Sequence, residues 1–153
     1  MAPGKTVSKE APVSIDPSQE VLIRRPHEGE QLGSGLVRAA LPELTTVEYR
    51  LNAGGQPGQP HYHAQHADSF YVLDGELEFR IDGKAVRAAA GSLIIAPPRA
   101  VHAFPVAISA QARFLNLHTP GGFERYLREL TALRAREEAP TREFYESHDQ
   151  FMV

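Results

Sequence analysis

The alternation of apolar and polar residues predicts a series of short β-strands over most of the chain. In residues 45–51 every second side chain lies on one face, while Glu48 and Arg50 occupy the other. Residues 77–82 alternate in the same way, and Asp82-Gly83 follows as a hairpin turn of type I′, which needs positive φ. Further strands are predicted over residues 21–24, 35–41, 69–73, 84–89, 92–96 and 112–117.

The periodicity changes after residue 119. Apolar side chains then recur at helical spacing, at Phe123, Tyr126, Leu127 and Leu130. This pattern predicts a helix over about residues 122–137 that ends before Pro140, and a short helical turn over 141–148. Many short strands with Gly and Pro turns, followed by one helix, favour a β-sandwich or barrel with a helical appendage.

Composition narrows the class of protein. The 153 residues suit one domain, and a net charge of -3 without a basic block argues against nucleic-acid binding. No apolar stretch is long enough to span a bilayer, and the N-terminus lacks the apolar core of a signal peptide, so we expect a cytoplasmic protein that binds no membrane. Residues 1–19 are rich in Pro, Ser and Lys, which predicts a flexible tail or an arm that becomes ordered only against a partner subunit.

The histidines are unevenly distributed. In a strand His61 and His63 lie on the same face, where two imidazoles can share one cation, and His102 begins another predicted strand. Asp68 follows five residues after His63 and offers an anionic oxygen. Because the chain has no cysteine, any bound metal must use nitrogen and oxygen ligands. By itself a His-x-His pair is more often a surface or structural pair than a metal site.

Two longer patterns around these histidines resemble the motifs of the cupin family. The first motif, G-x5-H-x-H-x4-E-x6-G, is matched in spacing by Gly55, His61, His63, Asp68 and Gly75. The second, G-x5-P-x-G-x2-H-x3-N, is matched in part by Gly91, Pro97 and His102. The segments SFYVLDGELEF and ARFLNLHTPGGFERYLREL also look like small bacterial single-domain cupins, so the resemblance covers about residues 21–135.

The resemblance implies an all-β fold, the cupin double-stranded β-helix or jelly-roll barrel, with a C-terminal α-helix. Residues 20–120 would form the barrel, and residues 121–153 a helical segment packed on it. Small cupins are often dimers, so the resemblance also implies a homodimer.

Carried onto this chain, the resemblance makes His61, His63 and His102 ligands of one divalent metal ion per chain. The metal could be Fe, Ni, Mn, Co, Cu or Zn. Asp68 stands at the position of the motif glutamate, where it would be either the fourth ligand or an acid–base group. His66 is an alternative ligand, although we expect it to be an exposed loop histidine.

The second motif departs from the family pattern, because Arg99 replaces Gly and Val106 replaces Asn. Arg99 is tolerated if its φ is negative, and it would either pair with an anionic substrate at the rim or face water.

His118, at the end of a strand, is either an acid–base group at the cavity mouth or a residue without a chemical role. The residues expected to line the cavity are Tyr49, Phe70, Phe79, Phe104 and Phe114.

Three functions are compatible with these features. The first is a dioxygenase that resembles the quercetin-dioxygenase-like cupins and uses O2 to oxidise a small aromatic or phenolic substrate, such as a flavonol or polyketide. The second is a cyclase or isomerase with a Lewis-acid metal, and the third is a small-molecule-binding barrel without turnover. The fold alone does not separate them.

Overall fold

The computed structural model describes residues 21–153, and these residues form two antiparallel sheets followed by two helices. The larger sheet has the strand order β1-β2-β3-β10-β5-β8, with β1 Glu30–Leu32, β2 Gly35–Ala40, β3 Thr45–Asn52, β10 Gln111–Thr119, β5 Ala67–Asp74 and β8 Leu93–Ala96. The smaller has the order β11-β4-β9-β6-β7, with β11 Phe151–Met152, β4 His61–Tyr62, β9 His102–Ala107, β6 Glu76–Ile81 and β7 Lys84–Ala89.

The hydrophobic core lies between the two sheets and comes from every second residue of their strands. Phe70 of β5, Phe79 of β6 and Phe114 of β10 are almost completely buried. The rings of Phe70 and Phe79 meet edge to face, with their centroids 5.1 Å apart. Burying such a side chain stabilises the fold by about 2–3 kcal/mol. The fold is the predicted one, an all-β jelly-roll barrel of the double-stranded β-helix type.

The clearest local prediction from the sequence is confirmed at the β6–β7 hairpin. Asp82 has φ 48 and Gly83 has φ 76, as a type I′ turn requires. The two predicted helical segments are also present, as α1 over Phe123–Ala135 and α2 over Arg142–Ser147. Helix α1 buries Leu127 and Leu130 against the barrel.

Other local predictions are wrong. Residues 21–24 form no strand, because they lie exposed outside both sheets, and the first strand is β1. Arg99 has φ 71 rather than a negative φ, so it occupies a left-handed conformation that favours glycine, the residue of the motif. Strand β11, which was not predicted, pairs with β4 at the end of the smaller sheet. The predicted tail, residues 1–19, lies outside the described residues.

This arrangement brings distant parts of the chain to one end of the barrel. Strand β4 lies between β11 and β9, and α1 packs against β1 and β2 beside the same opening. Within residues 21–153, no helix is both long enough and apolar enough to cross a membrane.

Candidate metal centre

Four side chains that carry nitrogen or oxygen donors converge at the end of the barrel. His61 in β4 pairs with His102 in β9, His63 follows β4, and Asp68 lies in β5 of the opposite sheet. All four are buried, with exposed fractions of 7%, 3%, 2% and 5% in that order. One donor atom of each lies within 4.8 Å of those of the others. The cluster is therefore able to hold a metal ion.

The backbone fixes the orientation of the three imidazole rings. The Nδ1 atoms of His61 and His102 each donate to a carbonyl two residues earlier, of Gln59 and Ala100, over 2.9 Å. The Nδ1 of His63 donates to the carbonyl of Asp149, also over 2.9 Å. Because a carbonyl can only accept, each Nδ1 carries the hydrogen, and in the neutral ring each Nε2 presents its lone pair. Three lone pairs are thus available to one cation.

The arrangement of acceptors fits a bound cation. His63 Nε2 is buried and has no hydrogen-bond partner among the described residues. The Oδ2 atom of Asp68 lies 3.1 Å from His102 Nε2 and 3.7 Å from His63 Nε2. His102 Nε2 lies within hydrogen-bond distance of Asp68 Oδ2, so a proton can be shared there, whereas His63 Nε2 is left as a buried unsatisfied acceptor, which costs about 1–3 kcal/mol. A divalent ion satisfies these atoms together, and nitrogen and oxygen donors without sulfur suit Fe, Ni, Mn, Co, Cu or Zn.

The Asp68 carboxyl is held in its ionised form. Burial by itself would raise its pKa, but His118, His102 and His63 together hold that pKa well below its usual range. Its second oxygen, Oδ1, accepts a hydrogen bond from the side-chain amide of Asn116. Asp68 therefore supplies a fixed negative charge to the cluster from the larger sheet, whereas His61 and His102 belong to the smaller one.

Two further imidazoles lie beside the cluster. His118 is 1% exposed, stacks on Phe123 with ring centroids 3.7 Å apart, and donates from Nε2 to Asn116 Oδ1 over 2.9 Å. His66 is not the exposed loop residue that the sequence suggested, because its ring is half-buried and its Nδ1 lies 2.7 Å from Asp149 Oδ2. The Nδ1 of His118 and the Nε2 of His66 have no hydrogen-bond partner within the part of the chain that the structure describes.

The C-terminal segment closes the centre through Asp149. Its carboxylate accepts from the backbone N–H groups of Ala64, Gln65 and His66 at 3.0, 2.9 and 3.3 Å. The same residue orients the His63 ring through its carbonyl. Sequence reasoning missed Asp149 because it lies 86 residues from His63, and no spacing pattern links the two.

A cavity of about 360 Å³ opens above the cluster, between the barrel and α1. Of the residues expected to line it, Tyr49 and Phe104 do so. Phe70, Phe79 and Phe114 instead belong to the core between the sheets and do not line the cavity. Helix α1 completes the wall with Phe123, Tyr126, Leu127, Leu130, Thr131 and Arg134.

The metal-free protein is expected to lose stability as the pH falls below neutrality. Burial lowers the pKa of His61 to about 4 and that of His118 to about 3, whereas both titrate near 6.5 when unfolded. Between these values the unfolded chain binds more protons, so the free energy of unfolding decreases as the pH falls. His102 contributes in the opposite direction, because Asp68 raises its pKa despite burial.

The measurement is the melting temperature in the presence of a chelator at about pH 7 and about pH 5. The wild type should melt lower at the acidic pH, and a His118→Gln variant should show a smaller difference. Equal melting temperatures for the wild type at both values would contradict the assignment of neutral, buried imidazoles.

Comparison with known proteins places this site within a recognised domain. Residues 47–118 match the cupin domain family. A curated relative, quercetin 2,3-dioxygenase of Bacillus subtilis (strain 168), is 30% identical over 70 residues, which are 46% of this chain. The matched part of the chain spans 20% of that relative's length.

Solved structures show the same fold. The chain is similar to KdgF from Halomonas sp., with 24% identity and a TM-score of 0.57 over 69% of this chain and 99% of that one. It is also similar to an RmlC-like cupin from Shewanella frigidimarina, with 23% identity and a TM-score of 0.52 over 64% and 87% of the two chains. The matched domain contains all four residues of the buried His/Asp cluster. Residues 47–118 are therefore similar to the cupin domain, and the described part of the chain shares the fold of these solved structures.

Proposed function

We propose that this protein is a metal-dependent dioxygenase that oxidises a small aromatic or phenolic molecule in the barrel cavity. The observation that carries the proposal is the convergence of three imidazoles and one carboxylate, of which His61, His63 and Asp68 line an aromatic cavity. The similarity to quercetin 2,3-dioxygenase of Bacillus subtilis supports the reaction class, although it covers only 70 residues of this chain.

The residues of the chain account for how such a site is organised. His61, His63 and His102 would hold the ion, with Asp68 as the anionic ligand. A bound divalent metal would supply an electrophilic centre, and a redox-active one would also pass electrons between the substrate and O2. Since backbone carbonyls already fix the imidazole tautomers, the ligands need little reorganisation on binding.

The cavity favours a flat, weakly polar substrate. The aromatic rings of Tyr49, Phe104 and Phe123 form its walls, and Leu127 and Leu130 close it on the helix side. A volume of about 360 Å³ lies near the lower end of the range for small-molecule sites. These walls would orient a molecule of one or two rings and exclude water from its reacting end.

A redox-neutral cyclase or isomerase is the second candidate, and it is favoured by His118. This neutral imidazole lines the cavity, and its Nδ1 has no partner among the described residues, so it can accept a proton. Its pKa of about 3, lowered by burial, makes it a weak base, which ranks this candidate below the dioxygenase.

Oxygen uptake tests the proposal directly. We expect protein loaded with Fe, Mn, Ni, Co or Cu to consume O2 with at least one member of a panel of phenols, aromatic carboxylic acids and flavonols, and Zn-loaded protein to consume none. A His102→Ala variant is the control, because O2 consumption that persists in it would come from a metal bound outside this centre. Turnover by Zn-loaded protein without O2 would favour the isomerase, and binding without any turnover would favour a non-catalytic barrel.

A further inference from the structure

The cavity wall contains one lone cation. Arg134, in the last turn of α1, is the only Lys or Arg among the described residues that line the cavity. Two other arginines of this region are paired, since Arg128 lies 2.6 Å from Glu30 and Arg136 lies 2.9 Å from Glu138. Within residues 21–153, Arg134 forms no salt bridge. Its charge is therefore available to a ligand.

The guanidinium lies between the helix and the turn that joins β1 to β2. A Cβ atom placed on Gly33 of that turn would lie 3.8 Å from Arg134 Nη1. The positive charge also acts on the cavity wall: burial raises the pKa of the Tyr49 and Tyr126 hydroxyls, and Arg134 opposes this rise at both. Arg134 therefore lies close enough to the cavity for its field to reach groups on the wall.

We propose that Arg134 binds a carboxylate of the substrate, so that the substrate is an aromatic carboxylic acid rather than a neutral phenol. A planar guanidinium binds a carboxylate through two parallel hydrogen bonds. Arg134 is exposed at the rim of the cavity, so the preference for a carboxylate comes from the geometry of these two bonds rather than from burial of the pair. The carboxylate would lie at the mouth beside Arg134, and the ring between Tyr49 and Phe123. Oxidation of the part of the substrate that faces the metal rests on the proposed function, whereas binding of its carboxylate by Arg134 does not.

The main alternative is a purely structural role. A basic residue in the last turn of a helix interacts with the helix dipole and stabilises the fold by about 0.3–1 kcal/mol. In that case, replacing Arg134 lowers the melting temperature and leaves ligand preference unchanged. The test therefore has to measure preference between two ligands of the same shape and different charge.

Binding of 1-naphthoate and 1-naphthol to the metal-loaded protein provides this test, by calorimetry near neutral pH. The wild type is expected to bind naphthoate about 10-fold more tightly than naphthol. Arg134→Gln should lose this preference and keep its affinity for naphthol, and Arg134→Lys should keep part of it. Arg136→Gln is the matched control, because Arg136 lies at the same end of α1 but is paired with Glu138.

All variants are compared in the same metal state, so any attraction between the naphthoate carboxylate and the ion is the same in each. A difference in preference between variants then reports the contribution of Arg134. If Arg134→Gln keeps the full preference for naphthoate, the inference is overturned. If the wild type shows the preference and Arg134→Gln loses it while no metal-loaded form consumes O2, the carboxylate site stands and the dioxygenase proposal fails.

Discussion

A variant in which His61 and His63 are both alanine is expected to purify without metal, whereas the wild type carries about one ion per chain. The change removes two of the three Nε2 donors and leaves only His102 and Asp68 at the cluster. Two donors of this kind hold a first-row divalent ion far more weakly than four. Metal analysis after dialysis against buffer without chelator gives the stoichiometry directly.

The fold of this variant should survive, because neither histidine belongs to the hydrophobic core between the sheets. Circular dichroism checks that point. His27→Asn is the matched control: His27 is exposed and lies far along the chain from the cluster, and asparagine tolerates its φ of 67. Full metal stoichiometry in a folded His61→Ala, His63→Ala protein would mean that the ion binds elsewhere.

Strand periodicity predicted most of the fold because alternation reports directly which face of a strand is buried. Residues 77–82 and their Asp82-Gly83 turn needed no knowledge of distant contacts, and the β6–β7 hairpin is present as predicted. The short strands β1 and β11 were missed for the same reason. Two or three residues carry no periodic pattern, and each exists only because a partner strand lies beside it.

Periodicity could not separate the core from the cavity. On β10, Phe114, Asn116 and His118 all point inward, yet Phe114 packs in the core whereas the other two reach the metal centre. The position along the barrel axis makes the difference, and a period of two contains no information about it. The usable signal was chemical: Asn116 and His118 are polar residues at inward positions, which a core does not need.

Asp149 could not be predicted from the sequence, and its replacement is expected to have a large effect on metal binding. Replacing it with glycine is expected to weaken metal binding by about 10- to 100-fold, the usual effect of losing a group that orients ligands. The side chain holds the N–H groups of residues 64–66, directly after His63. Glycine tolerates the φ of 58 at this position, so the change removes these hydrogen bonds without adding backbone strain.

Competition with a chromophoric chelator for Zn²⁺ measures the affinity. Asp149→Asn is the matched control, because asparagine has the same shape, accepts the left-handed φ and keeps one oxygen acceptor. It should therefore fall between the wild type and Asp149→Gly. A lower melting temperature of metal-free Asp149→Gly with unchanged Zn²⁺ affinity would show that the C-terminal segment only stabilises the fold. A loss of affinity in Asp149→Gly that Asp149→Asn partly restores instead means that this segment orients His63 toward the ion.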